Sequence, residues 1–227
     1  LSKIKISFVS RDEIIKSFKE GWHPFSLSIT PSICTMIIFF WLSTKLSIES
    51  IGLINSAERI FRALISLFGP IGQAIYPFLI SQLSANKSKA IIQTKLIFFI
   101  YLLIGITIPI TVYLLADNLV IFYLGENFIK SSTILKIFAI SVPLIKISHI
   151  LGRQWMLSLK MDKIANIGVL ASSALLLLTT YITFWRFEIL SFPISLLISE
   201  LFLLLYYYIY LEYKKIGFWN QNVEDRI

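Results

Sequence analysis

The chain has 227 residues, 56% of them hydrophobic and only 15% charged, with a mean hydropathy of +0.78 and a net charge of +8. That balance lies far outside the soluble norm, excludes a water-soluble enzyme and identifies an integral membrane protein. The excess cations come without a soluble basic domain, which argues against nucleic acid and for anionic lipid headgroups as their counterpart.

Residues 1–24 are charged and amphipathic, with Lys3, Lys5, Arg11, Lys16 and Lys19, and read as a cytoplasmic linker segment. The first apolar run lacks a small-residue cleavage site, so it reads as a span and not as a removed signal peptide. With Leu1 in place of an initiator Met, the sequence is expected to belong to a longer polypeptide. Windows free of charge and long enough to cross roughly 30 Å of hydrocarbon occupy 24–44, 63–86, 96–116 and 164–185. Two more, 137–159 and 189–211, are interrupted by ionisable residues. The expected fold is all-α, with six transmembrane helices forming one bundle over 25–211 and a cytoplasmic tail over 212–227.

Six spans alternate sides, and Lys and Arg are shared unevenly between them. The side holding both termini carries thirteen; the other carries six, namely Lys45, Arg59, Arg62, Lys130, Lys136 and Arg186. Lys146 and Arg153 fall inside a span. The positive-inside rule then puts both termini in the cytoplasm. Tyr206, Tyr207, Tyr208, Tyr210 and Tyr213 crowd one end of the last span, and Trp22, Trp41 and Trp185 lie near expected ends, as interfacial anchors do. Cys34 stands alone in an apolar run and reads as structural, without a disulfide. Asn86-Lys87-Ser88 fits a glycosylation triplet, but it falls in an expected cytoplasmic loop and carries no weight.

The second span is the most ordered stretch. Asn55, Arg59, Arg62, Ser66, Gly69 and Gln73 recur at alternating spacings of four and three, which draws one continuous polar stripe along a helix. The stripe faces a wet cavity, or else Arg59 and Arg62 mark the outer interface with Glu58 and Arg62 paired at i, i+4; Gln73, deeper in the stripe, favours the cavity. Pro31, Pro70, Pro77, Pro109 and Pro143 all lie in apolar stretches and imply kinked spans. Gly69-Pro70-Ile71-Gly72 frees backbone carbonyls in mid-membrane, which is tolerable only where water, side chains or a neighbouring helix satisfy them.

The fourth expected loop-to-cytoplasm helix carries Lys146, His149 and Arg153 at i, i+3 and i+7, a ladder of cations on one face. Counted from Lys136 at about 1.5 Å per residue, Lys146 lies near the midplane, with His149 roughly 20 Å and Arg153 roughly 26 Å in. Ionisable groups at that depth face a cavity, a partner or a ligand, and cations suit an anionic ligand. Arg153 can snorkel to the headgroups. Lys146 either lines a cavity or pairs with Glu200, which stands at the midpoint of the last span. His149 is the candidate proton-responsive group. No metal, nucleophile or nucleotide motif stands among the acids of the short outer segments, Glu49, Glu58, Asp117, Glu126 and Glu188.

Four blocks carry a family resemblance: Ile51-Gly52-Leu53-Ile54-Asn55-Ser56-Ala57-Glu58-Arg59-Ile60, Gly69-Pro70-Ile71-Gly72-Gln73-Ala74-Ile75-Tyr76-Pro77, Leu124-Gly125-Glu126-Asn127-Phe128 followed by Ser131-Ser132-Thr133-Ile134-Leu135-Lys136-Ile137, and His149-Ile150-Leu151-Gly152-Arg153-Gln154. In order and spacing they resemble the second half of polysaccharide transporters of the O-antigen flippase type, within the multidrug, oligosaccharidyl-lipid and polysaccharide exporter superfamily. One departure is Ile54, where the family commonly has an aromatic residue. The resemblance implies spans seven to twelve of a two-bundle transporter of about twelve helices in the bacterial inner membrane. The implied function is to carry undecaprenyl-diphosphate-linked oligosaccharide, an O-antigen or capsule repeat unit, to the outer leaflet, without enzymatic activity or cofactor. It implies as partners the lipid-linked oligosaccharide, membrane lipids, an N-terminal half and polysaccharide polymerase machinery. On this reading Arg59, Arg62, Lys146, His149 and Arg153 pass the diphosphate across, Gln73, Asn55 and Ser66 bond sugar or phosphate, and Glu200 carries a coupling proton or sodium ion.

Two other readings compete. A multidrug or other lipid exporter of the same superfamily would carry acids and aromatics for cationic substrates, against the basic balance here. A membrane glycan polymerase or ligase needs a large external loop, and the outer segments are short.

Overall fold

The computed structural model describes residues 10–67, 69–220 and 223. Lys3, Lys5 and Arg226 lie outside the described residues, as do Phe68 and the side chains of Lys16 and Lys19. Among the described residues every regular element is helical: α1 Arg11–Ser43, α2 Ile48–Ser66, α3 Gly69–Ala85, α4 Lys87–Leu124, α5 Ser131–His149, α6 Asp162–Phe187 and α7 Ser191–Lys214. A π-helical segment, Ile150–Met156, continues α5 without a gap.

Local chemistry sets the ends. The Ser10 hydroxyl accepts from the Glu13 N–H at 3.3 Å while the Glu13 carboxylate accepts from the Ser10 N–H at 3.0 Å, a reciprocal cap that starts α1. From there α1 runs unbroken through residue 24, so the linker segment and the first span share one helix. Ser47 and Asn86 cap α2 and α4 by accepting from the backbone N–H groups of Ser50 and Lys89. Gly125, at φ +90°, ends α4 in a conformation that side chains resist.

Among the described residues four stretches are long and apolar enough to cross a membrane: Phe25–Ser43, Lys87–Leu124, Ser131–Met156 and Asp162–Lys214, the last folding as α6 and α7 around the turn Glu188–Leu190. The second expected span, read as kinked, is instead two helices, α2 ending at Ser66 and α3 beginning at Gly69, neither of which is among the four stretches. The physical cause is Gly69-Pro70: proline has no N–H to continue the ladder and restricts the residue before it, whereas it is accommodated in the first turn of a new helix. Pro70 therefore starts α3 instead of kinking a longer rod, while Pro31, Pro77, Pro109 and Pro143 lie inside helices.

Two apolar clusters hold the bundle. One joins α2, α5 and α7 through Phe61, Phe138 and Phe192, with Phe61 stacked on Phe138 at 5.0 Å and Phe192 edge-on to it at 5.4 Å. The other gathers Trp155, Leu151, Tyr207 and Leu211 with Phe218. Its Trp155 indole N–H donates to the Ile216 carbonyl at 2.9 Å, which ties the chain beyond α7 back to the π segment. Cys34 is buried and free.

Between the clusters α4 crosses α5 at Gly105, where a Cβ would lie 3.0 Å from the Cα of Pro143. Small residues let membrane helices approach this closely, and a branched side chain would force the pair apart. Gly105→Val is expected to lower stability by about 1–3 kcal/mol, the usual range for overpacking. Thermal unfolding in detergent reads it, and an unchanged melting temperature would show that the α4–α5 crossing is not tight.

Candidate functional site

The break between α2 and α3 opens onto a cavity of about 590 Å³. Ile65, Ser66, Gly69, Gly72, Gln73 and Tyr76 line one side, Lys146, His149 and Arg153 another. The 3–4 spacing of the cations puts them on the face of α5 and its π extension that looks into this space. A second cavity, about 420 Å³, is lined by Glu58, Arg62 and Thr35 and shares Ile65 and Ser66 with the first. The two spaces thus abut at the end of α2.

Lys146 is only 3% exposed, and its ammonium donates to the Ile65 carbonyl at 3.3 Å. A helix that stops short leaves its last carbonyls without intrahelical donors, and its negative dipole end attracts a cation. At the break Lys146 adds a charged donor to the Ile65 carbonyl, which also accepts from the Leu67 N–H. The Arg153 guanidinium, two turns further along the ladder, donates to the Leu27 carbonyl of α1 at 3.0 Å.

Glu200 belongs to a different space. Its carboxylate accepts from the Ser148 hydroxyl at 3.3 Å, and Ser148 lies two residues after Lys146, about 200° around the helix. Lys146 lines the large cavity; Glu200 lines a small one of about 120 Å³ with Ser148, Ser172, Ser199 and Tyr207. His149 and Arg153 border both, so the Arg153 charge lies between the two spaces.

The remaining expected residues divide. Arg62 lines the second cavity while ion-paired with Glu58, as the interface alternative has it, and Gln73 lines the first. Asn55 and Arg59 are exposed on α2 and line neither cavity. Several lining residues escape a reading from sequence, among them Tyr76, Gln154 and Tyr101. Tyr76 extends the stripe one step past Gln73, so periodicity carried further reaches it, and Gln154 is the immediate neighbour of Arg153. Tyr101 sits in an unbroken apolar run of α4, where no local pattern marks it. The Gln154 amide donates to the Tyr101 hydroxyl at 3.4 Å.

The π segment owes its position to a close approach. A Cβ on Gly152 would lie 2.4 Å from the Tyr207 ring, and one on Gly168 would lie 2.8 Å from the same ring. Tyr207 is therefore held between two glycines, with its hydroxyl donating to the Ala165 carbonyl at 2.9 Å. Wide π turns recur at functional sites, and this one carries Arg153 and Gln154 to the cavity wall.

Comparison with known proteins gives a coherent result. Residues 2–225 match the family described as "Lipid II flippase MurJ". Among curated relatives, a "Putative O-antigen transporter" of Escherichia coli (strain K12) is 29% identical over 192 residues, covering 85% of this chain and 46% of that protein. A protein of Shigella dysenteriae with the same description is 32% identical over 145 residues, covering 63% of this chain and 35% of that one. The chain spans about half, or less, of the length of these relatives. No solved structure matches. The family match runs over almost the whole sequence and agrees with the O-antigen-type blocks, so this chain belongs to the lipid II flippase MurJ family, a group of lipid-linked flippases in the multidrug, oligosaccharidyl-lipid and polysaccharide exporter superfamily.

Proposed function

We propose that the chain serves in a flippase that carries an undecaprenyl-diphosphate-linked oligosaccharide, an O-antigen or capsule repeat unit, from the cytoplasmic to the outer leaflet of a bacterial inner membrane. The observation that carries this reading is the wall of the 590 Å³ cavity formed by the cations Lys146 and Arg153 with the His149 imidazole between them, set beside a broken helix. A diphosphate bears about two negative charges, and moving them through low dielectric is prohibitive unless cations travel with them or line the route. Arg62 in the adjoining cavity extends the route. Arginine suits forked contact with phosphate oxygens, whereas lysine supplies a point charge. Both termini are assigned to the cytoplasm on the distribution of Lys and Arg.

The relatives are about twice as long as the matched region or longer, which supports a further bundle, assigned to an N-terminal half, as working partner. Polysaccharide polymerase machinery is assigned as consumer of the product. Arg59 and Asn55, exposed on α2, are assigned to the surface that such a bundle would cover. Glu200 is assigned as the coupling group for a proton or sodium ion, because its cavity borders Arg153. The test is surface polysaccharide in a strain lacking its own flippase but making the matching repeat unit. Expression of the transporter is expected to restore surface polymer. Continued accumulation of lipid-linked repeat inside the cell, with the transporter present in the membrane, would sink the reading.

A further inference from the structure

The cavity beside the broken helix has two walls of different chemistry, and the ladder of α5 accounts for only one. The other wall is neutral. Gly69, Gly72, Gln73 and Tyr76 reach it from α3 at i, i+3, i+4 and i+7, one face of the helix, with Tyr101 and Gln154 beside them. Two of those four positions have no side chain, so the face is recessed.

Gly72 is where the recess matters. A Cβ there would lie 3.5 Å from the amide nitrogen of Gln154 and 3.5 Å from the Tyr101 hydroxyl, so glycine leaves that polar pair uncovered and any larger residue would cover it. Both partners are 4% exposed, and the Gln154 amide oxygen has no hydrogen-bond partner among the described residues. A buried acceptor left unmet is costly, and a ligand that brings a donor removes the cost.

We propose that Gln73, Tyr76, Tyr101 and Gln154 form a subsite for a sugar ring, entered over Gly72, that reads the first sugar of the lipid-diphosphate-linked glycan while the ladder holds the diphosphate. The inference rests on the flippase reading above. Amides and phenols present donors and acceptors together, as a ring of hydroxyls requires, and the phenol rings add flat apolar faces for the C–H side of a sugar. None of the four is charged, so this wall suits neutral hydroxyls better than the charge of a phosphate. The cations line the same cavity, which puts a sugar attached to a ladder-bound diphosphate against this wall.

The competing account is that Tyr101 and Gln154 merely clasp α4 to the π segment. Gly72→Ala separates the two, because 3.5 Å is ordinary contact and alanine is the better helix former, so the clasp survives while its open side is roofed. The whole transporter, in nanodiscs, is titrated with undecaprenyl diphosphate and with lipid-linked glycan extracted from a flippase-deleted host. The parent is expected to bind the glycosylated lipid roughly tenfold more tightly than the bare one, the scale of one or two well-made hydrogen bonds. That preference is expected to fall below about twofold in Gly72→Ala, with the melting temperature unchanged or raised, and likewise in Tyr101→Phe, which decides the matter should the alanine variant not fold. Retention of the parent's preference overturns the subsite, as does a parent that binds both lipids equally. A parent that binds neither lipid overturns the flippase reading itself.

Discussion

Lys146→Met is expected to cut delivery of surface polysaccharide at least tenfold at matched expression, the larger functional effect of the substitutions considered. Methionine keeps the unbranched length of lysine, so packing around a side chain that is 3% exposed changes little. What is lost is the charge, and with it two separate services. The cavity loses its lysine cation, and an uncompensated phosphate in low dielectric is poorly tolerated. The Ile65 carbonyl at the end of α2 also loses a charged donor and keeps only the Leu67 N–H. Lys146→Arg keeps the charge and is expected to retain part of the activity, which tells charge from shape. Full surface polymer in the methionine variant would show that neither service matters to transport.

Gly152→Val is expected to abolish the folded protein. A Cβ at this position would sit 2.4 Å from the Tyr207 ring, far inside contact distance. The ring has nowhere to retreat: Gly168 bounds its other side and its hydroxyl is committed to the Ala165 carbonyl. Even Gly152→Ala is expected to cost about 1–3 kcal/mol, the range for an overpacked core. Fluorescence-detected size exclusion reads the loss of the monodisperse peak for the valine variant and thermal melting reads the alanine one. Pairing Gly152→Ala with Tyr207→Leu should restore much of the stability, because the two side chains compete for one volume. An alanine variant that melts like the parent would mean the helices separate easily there.

What the sequence makes legible here is what depends on local pattern. The membrane character follows from composition, the break from Gly69-Pro70, and the shared face of Lys146, His149 and Arg153 from their spacing. The direction of that face was open, because Lys146 and Glu200 both stand deep in spans and only packing of α5 against α2 and α7 puts Lys146 by Ile65 and Glu200 by Ser148. The stripe from Asn55 to Gln73 keeps its 3–4 rhythm straight across from Ser66 to Gly69, so periodicity alone joins two helices that the backbone separates. The same rhythm includes Asn55 and Arg59, which line neither cavity, because a repeat fixes a face of a helix but not how far along it a cavity extends. The π segment has no local signature at all. It answers to Tyr207, more than fifty residues away, and contacts of that range are invisible to a window sliding along the chain.

A rod cut in two transmits neither push nor twist. α2 is keyed to α5 by the Phe61–Phe138 stack, while α3 rests against α4 and the π segment, so the halves answer to different neighbours. Tilting α3 would therefore leave the Phe61–Phe138 stack in register. The two helices meet next to the Ile65 carbonyl of α2, where Lys146 is moored.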